Sequence, residues 1–296
     1  MARVLVFLVR FAGFGICMLL LGGYLGEVHP IGDALAVPRL WIAGVLFGVA
    51  GLALALKDRV AAGLLGGFAG FAAIPILWLL WWPFEPPDRV DATVYVKNLG
   101  HNRIEVDAVA MDINEIDPDI ILLQELTQHD AVWLRTLLPN HPHWHICQHT
   151  PISGVAVIAR WPLSETGCTP RRGIAFGDVA APGGSIWAAS IHLIWPYPYA
   201  QWWDLPMIER HVNREAPRRI VAGDFNMVPW GRSIQRVAEF TGTAPIGRLQ
   251  TTILGGDFPL PIDHVLTNGT GDVTRRPQFG SDHFGLVARI GFDGVD

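Results

Sequence analysis

Carboxylates, amides and imidazoles recur in this chain where short apolar runs end: Asn98, Gln124-Glu125, His192, Asp224 with Asn226, Asp263-His264 and Ser281-Asp282-His283. Oxygen donors in such numbers suit a hard divalent cation, Mg²⁺ or Mn²⁺. Zinc fits less well, because Cys147 and Cys168 are not spaced as ligands and the strand-end histidines His192, His264 and His283 occur singly. The segment Arg219 to Trp230 shows the pattern most clearly. Ile220, Val221 and Ala222 read as a strand covered on both faces, and Gly223, Asp224 and Asn226 tolerate the dihedrals of a strand-end turn. With one residue between them, Asp224 and Asn226 fall on the same side of an extended backbone, while Phe225 packs inward.

The elements that must position these groups are short. Strands are expected near residues 93–96, 119–123, 153–159, 186–191, 220–222, 262–266 and 284–290, with helices near 103–115 and 129–138. Strands and helices mix without a strict βαβ period, so the expected fold class is an α/β sandwich of two antiparallel or mixed sheets rather than a doubly wound sheet. About 205 residues are ample for one such core.

The amino-terminal part belongs to a different solvent. Three nearly uncharged runs, 4–26, 40–56 and 60–82, are each close to the roughly 20 residues that a helix needs to cross a bilayer. Three buried core helices in succession would leave no polar face for water. The expected organisation is therefore an anchor of three transmembrane helices over residues 1–88 and a catalytic domain over 89–296. Arg3, Arg10, Lys57 and Arg59 lie on one side of these runs, whereas Arg39 and Arg89 on the other are diluted by Glu27, Asp33, Glu85 and Asp88. The positive-inside rule then puts the amino terminus in the cytoplasm. The domain faces the far side, the periplasm or exterior of a bacterial inner membrane, and Arg10 must snorkel. Trp81-Trp-Pro-Phe-Glu-Pro-Pro87 reads as the membrane exit. In an oxidising compartment Cys147 and Cys168 can pair, although spacing alone leaves two reduced buried thiols equally open.

In their order along the chain, Asn98, Gln124-Glu125, Ile191-His192-Leu193, Gly223-Asp224-Phe225-Asn226, Ile262-Asp263-His264 and Ser281-Asp282-His283 resemble the endonuclease/exonuclease/phosphatase superfamily, which includes deoxyribonuclease I and neutral sphingomyelinases. The resemblance covers nearly all of residues 90–296 and implies a four-layered α/β sandwich and metal-dependent cleavage of a phosphoester. The anchored layout is similar to that of bacterial members with a few amino-terminal spans. By the resemblance, Glu125 is the principal metal ligand, Asn98 sits beside it and Asp282 completes the shell. Asp263 orients His283, which takes a proton from water. Asp224 and Asn226 align water and phosphate, and His192 donates to a phosphate oxygen. Two departures are visible: Gly285 stands where the family often has Pro, and no mid-domain Tyr of the kind some nucleases use is evident.

The substrate class is the most open expectation. Residues 90–296 hold 16 Lys and Arg against 22 Asp and Glu, a net of −6, and so lack the basic stripe of a duplex-DNA binder. The dibasic pairs Arg171-Arg172, Arg218-Arg219 and Arg275-Arg276 are candidates for local phosphate contacts. The stretch Ile194-Trp-Pro-Tyr-Pro-Tyr-Ala-Gln-Trp-Trp203 is aromatic and stiffened by proline, suited to stacking bases or entering a lipid interface. The leading expectation is a membrane-anchored nuclease-type phosphodiesterase, with a phospholipid or sphingomyelin-type phosphodiesterase as the alternative. An inactive membrane-anchored binding protein is the reading from a different class.

Overall fold

Runs such as Ile120-Ile-Leu-Leu123 are apolar at every position, which in a strand requires cover on both faces. The computed structural model, which describes residues 2–81, 86–100, 104–170, 173–199, 201–255 and 258–292, shows that cover. The domain begins with β1 (Ala92–Asn98), α5 (Val106–Ile116), β2 (Ile120–Gln124), α6 (Gln128–Leu137), β3 (His143–Thr150) and β4 (Ser153–Ala159), after four amino-terminal helices taken up below. It continues with β5 (Leu163–Cys168), β6 (Ile174–Val179), β7 (Ile186–His192), α7 (Gln201–Glu209), β8 (Arg218–Asp224), α8 (Arg232–Thr241) and β9 (Ala244–Pro245). A small hairpin of β10 (Ile253–Gly255) and β11 (Phe258–Leu260) precedes β12 (Asp263–Thr267), β13 (Thr270–Arg276) and β14 (Gly285–Gly291).

One six-stranded sheet runs β13-β14-β1-β2-β4-β3 and the other β5-β6-β7-β8-β12-β9. Alternation along each strand builds the layers. Val94, Val96, Ile120 and Leu122 meet Ala188, Ile220, Ala222 and Val265 between the sheets. Tyr95, Ile121 and Leu123 point outward against α5 and α6. Val221 and Ile191 do the same against α7 and α8. The result is the expected four-layered α/β sandwich.

Two pairings are parallel, β1 with β2 and β7 with β8, and both sit near the middle of their sheets. Their carboxyl ends therefore emerge together. The amino end of β12 lies alongside, because β12 runs antiparallel to β8 with Asp263 opposite Asp224. β14, antiparallel to β1, brings the segment before Gly285 to the same edge. Topology alone thus gathers residues 98, 124–125, 192, 224, 263 and 283.

The amino-terminal part consists of α1 (Ala2–Gly22), α2 (Pro30–Ala36), α3 (Arg39–Ala55) and α4 (Arg59–Trp81). The expectation of three separate spans meets a more divided arrangement. Two helices, α1 and α4, are long and apolar enough to cross a membrane, and a third span is reached only if α2 and α3, bent by 65°, count as one. The break falls at Val37-Pro38, where proline removes a backbone donor and its ring opposes continuation of the preceding helix. Arg10, expected to snorkel, has a protein partner and pairs with Asp58 at 2.7 Å. Trp82 to Glu85 of the expected membrane exit, and the Arg171-Arg172 pair, lie outside the described residues.

The amino-terminal helices also pack on the rest of the chain. Trp230 Nε1 donates to the Ala36 carbonyl at 2.7 Å, Arg232 pairs with Glu27, and Asp33 meets the start of α8.

Candidate active site

Asp224, the last residue of β8, is the centre of the site and is almost fully buried. Its Oδ2 accepts from Asn98 Nδ2 at 3.0 Å and from Asn226 Nδ2 at 3.2 Å, and its Oδ1 accepts from the Asn226 backbone N–H at 2.8 Å. The strand can end in this turn because Gly223 precedes it at φ +142°. A Cβ there would lie 2.1 Å from the Ile191 carbonyl oxygen. Glu125 (φ +52°) and Asn226 (φ +48°) occupy the left-handed region, which non-glycine residues hold only where the surroundings enforce it.

Asn98 links two carboxylates. Its Nδ2 also donates to Glu125 Oε1 at 3.3 Å, while its Oδ1 accepts from the Gly100 N–H at 3.0 Å. Asn98, expected beside the ion to position it or the phosphate, turns its oxygen to backbone and uses its amide to hold Glu125 and Asp224. His192 Nε2 lies 3.7 Å from both Glu125 Oε1 and Asp224 Oδ2. On the other side, His283 Nδ1 lies 2.9 Å from Asp263 Oδ2, and its Nε2 is 3.8 Å from Asp224 Oδ2. Asp282 is exposed and lines the same cavity of about 380 Å³, together with Glu125, His192, Asp224, Asn226 and His283. All eight residues expected from the sequence therefore meet in one place.

The electrostatics are those of an acidic pocket. Burial alone would lower the His283 imidazole, but the Asp263 and Asp224 carboxylates outweigh it and push it up to about 10. Burial pushes the Asp224 carboxyl up, against the pull of His283. No Lys or Arg is among the described residues lining the cavity. An oxygen-rich set of Glu125, Asp224 and Asp282 without a lining cation fits a hard divalent ion. Asp224, Asp263 and His283 also cluster closely enough to be considered as ligands. With Nδ1 turned to Asp263, however, His283 reads as an oriented proton-carrying group. The second such cluster, His145 with Cys147 and Cys168, is not a metal site, because the two cysteines form a disulfide. This resolves the pairing that spacing had left open.

Several supporting residues are not evident in the sequence reading. Lys97, buried in β1, donates to the carbonyls of His283 at 2.6 Å and Asn98 at 3.2 Å; burial lowers its ammonium to about 8, against the pull of Asp263. Gln124 donates to Ser190 Oγ at 2.9 Å, tying the two sheets beneath Glu125. A lone lysine immediately before a strand-end Asn is the one sequence signal that could have flagged Lys97. The dibasic pairs that remain are engaged internally. Arg276 pairs with Asp112, Arg275 stacks 4.2 Å from the Phe284 ring, and Arg219 donates to the carbonyls of Arg214 and Ala216.

Solved structures share this fold. A family protein from Leptotrichia buccalis superposes at TM-score 0.55 and 18% identity, covering 68% of this chain and 99% of its own. TDP2 from D. rerio, complexed with single-strand DNA product, gives 0.56 and 13%, covering 68% and 98%. A beta toxin double mutant from Staphylococcus aureus with bound magnesium ions gives 0.53 and 11%, covering 67% and 99%. A search of curated protein sequences returns no match. Residues 97–283 match the Endonuclease/Exonuclease/phosphatase family, from the buried lysine of β1 to the imidazole facing Asp224, and the chain belongs to that family.

Proposed function

We propose that the chain is a membrane-anchored, divalent-metal-dependent phosphodiesterase, with a 1–88 anchor and an 89–296 catalytic domain that faces away from the cytoplasm. The observation that carries this reading is the meeting of Glu125 and Asp224 on one Asn98 amide, directly beside the Asp263–His283 pair. A Mg²⁺ or Mn²⁺ ion held by Glu125, with Asp282 and Asp224 close by, would supply Lewis-acid polarisation of the phosphate and stabilise the leaving oxygen. Asp263 fixes the His283 tautomer, and the two flanking carboxylates favour its protonated form over the neutral one. His283 then presents an Nε2–H to a phosphate oxygen, and Asp224 becomes the acceptor for the water proton. This divides the roles differently from the sequence expectation, in which His283 takes that proton. Asn226, whose amide is anchored to the Leu193 carbonyl at 2.7 Å, fixes Asp224, and His192 donates to phosphate from the opposite wall.

Nucleic acid is the leading substrate class. The rim offers Trp195 and Tyr199 as surfaces on which the bases of a single strand can stack. TDP2, with its single-strand DNA product, provides the analogy. A phospholipid-type diester is the second reading, favoured by one observation: the ring of Tyr197, two residues from Tyr199 of the rim, lies 6.1 Å from His29 in the amino-terminal helical part. The deciding experiment supplies the full chain in detergent with single-stranded DNA, RNA, bis(p-nitrophenyl) phosphate and mixed phospholipid vesicles, with and without Mg²⁺. Mg²⁺-dependent release from one of these is expected. No release from any, together with unchanged metal binding in Glu125→Ala, would favour an anchored binding protein instead.

A further inference from the structure

The side chain most directly tied to both catalytic loops belongs to neither. Gln201, the first residue of α7, is fully buried. Its Nε2 donates to the Ile194 carbonyl at 2.7 Å and to the Phe225 carbonyl at 3.0 Å. Ile194 follows His192 by two residues, and Phe225 stands between Asp224 and Asn226. Both amide hydrogens are thereby committed, which orients the side chain and leaves Oε1 as an acceptor. Ser233 Oγ lies 2.7 Å from it.

Ser233 leads to the anchor. Its backbone N–H donates to Asp33 Oδ2 at 3.1 Å and its hydroxyl also contacts that oxygen, so the hydroxyl proton is shared between Asp33 and Gln201. Asp33 Oδ1 accepts from the Arg232 N–H at 2.6 Å. These are the first N–H groups of α8, which need acceptors from outside the helix. The usual source is the N-cap side chain, but here the N-cap is Gly231. It cannot be otherwise without a shift, since a Cβ would lie 2.2 Å from Met227 Sδ. Asp33, carried on α2 about 200 residues earlier and itself buried, stands in for the missing cap.

We propose that Gln201 is a positioning residue for the reaction, holding the His192 and Asp224–Asn226 loops at a fixed separation. In the same proposal Asp33 sets Gln201 through Ser233, making the membrane anchor part of the active-site scaffold. This rests on the phosphodiesterase reading of that site. An unanchored domain would keep its residues but lose the cap on α8 and the tension on the relay. Misplacements of about 1 Å lower rates on the order of 100-fold.

The test uses the full chain in lipid nanodiscs, as wild type and as Gln201→Ala, Gln201→Glu, Asp33→Ala, Asp33→Asn and Ser233→Ala. Gln201→Ala and Gln201→Glu are expected to lower kcat by about 10- to 100-fold on a minimal diester, with KM changed less than about threefold. Asp33→Ala should lower kcat in the same direction without touching the cavity, and Asp33→Asn, which retains a capping oxygen, should recover it to within about threefold. Hydrogen exchange supplies the second readout: amides 192–195 and 224–227 should lose protection in Gln201→Ala and Asp33→Ala. If the wild type is active and the folded variants keep kcat within about threefold, the proposal is overturned. If the wild type is itself inactive, the catalytic reading fails separately. Unchanged protection in those two segments then overturns the positioning of the loops as well. Ser233→Ala, the mildest change, covers the case in which the others do not fold.

Discussion

Asp263 stands directly opposite Asp224 across the β8–β12 ladder, and the His283 ring bridges the two buried carboxylates, 2.9 Å from one and 3.8 Å from the other. Like charges facing each other in a sheet oppose its formation, so the imidazolium has a structural as well as a chemical task. His283→Ala should lower turnover at least about 100-fold at fixed metal, the scale of losing a preorganised hydrogen-bond donor to charge developing on the phosphate. The folded-state value, about 10, lies above the ordinary histidine value of about 6.5. The stabilising contribution is therefore fully present below about pH 6.5 and lost as pH rises through about 10. Urea midpoints of wild type and His283→Ala, measured with chelator at pH 6, 8 and 10, should converge as the pH increases. A constant gap would remove the ion-pair account.

Glu125 differs from Asp224 in keeping part of its carboxylate open to the cavity. Glu125→Gln preserves shape while removing a charge that a hard cation needs. Mn²⁺ titration followed by electron paramagnetic resonance should show affinity reduced by about tenfold or more. Chelator should abolish hydrolysis by the wild type, and added Mg²⁺ should restore it. Wild-type turnover persisting in excess chelator would remove the metal from the mechanism.

Cys147 and Cys168 join β3 to β5, the edge strands of the two different sheets, with Cα atoms 5.6 Å apart. The bridge closes the sandwich at one open side. For a separation of 21 residues, the loss of loop entropy in the unfolded chain amounts to about 3 kcal/mol. Replacing both cysteines by serine should lower unfolding stability by about 2–4 kcal/mol in denaturant titration. In intact cells both thiols should resist alkylation until a reductant is added, as expected of a domain outside the cytoplasm. Free thiols in untreated cells would count against the outward orientation.

The sandwich and the site were legible in the sequence for the same reason. Strands covered on both faces carry apolar runs that stop abruptly, so Asn98, Glu125, His192 and Asp224 stand out as polar residues at each stop. Apart from β6, an interior strand interrupted by Gly177 and Asp178, the strands missed lack that contrast. β3, β5 and β13 are edge strands of mixed polarity. α7 carries Pro206 in its interior, and α8 begins without a capping side chain of its own. The supporting residues were invisible for a different reason. Lys97 meets His283, and Asp33 meets Ser233, across sequence separations of 186 and 200 residues, which no local pattern encodes. The 65° bend at Val37-Pro38 falls just before the second apolar run, where the short helix α2 lies outside every run long enough to read as a span.

The aromatic rim separates the two substrate classes. Trp195 and Tyr199 line the cavity, Trp195 half-buried and Tyr199 exposed. If bases stack on them, Trp195→Ala and Tyr199→Ala should raise KM for a single-stranded oligonucleotide by about 5- to 100-fold, corresponding to roughly 1–3 kcal/mol per stacked base. Turnover of bis(p-nitrophenyl) phosphate, too small to span the rim, should stay within about threefold. If lipid head groups are the substrate, the same variants should lose activity on vesicles, and Tyr197→Ala, at the contact with His29, should share that loss while sparing oligonucleotides. A rim that serves only as packing would leave both kinetic profiles unchanged and shift the melting temperature alone.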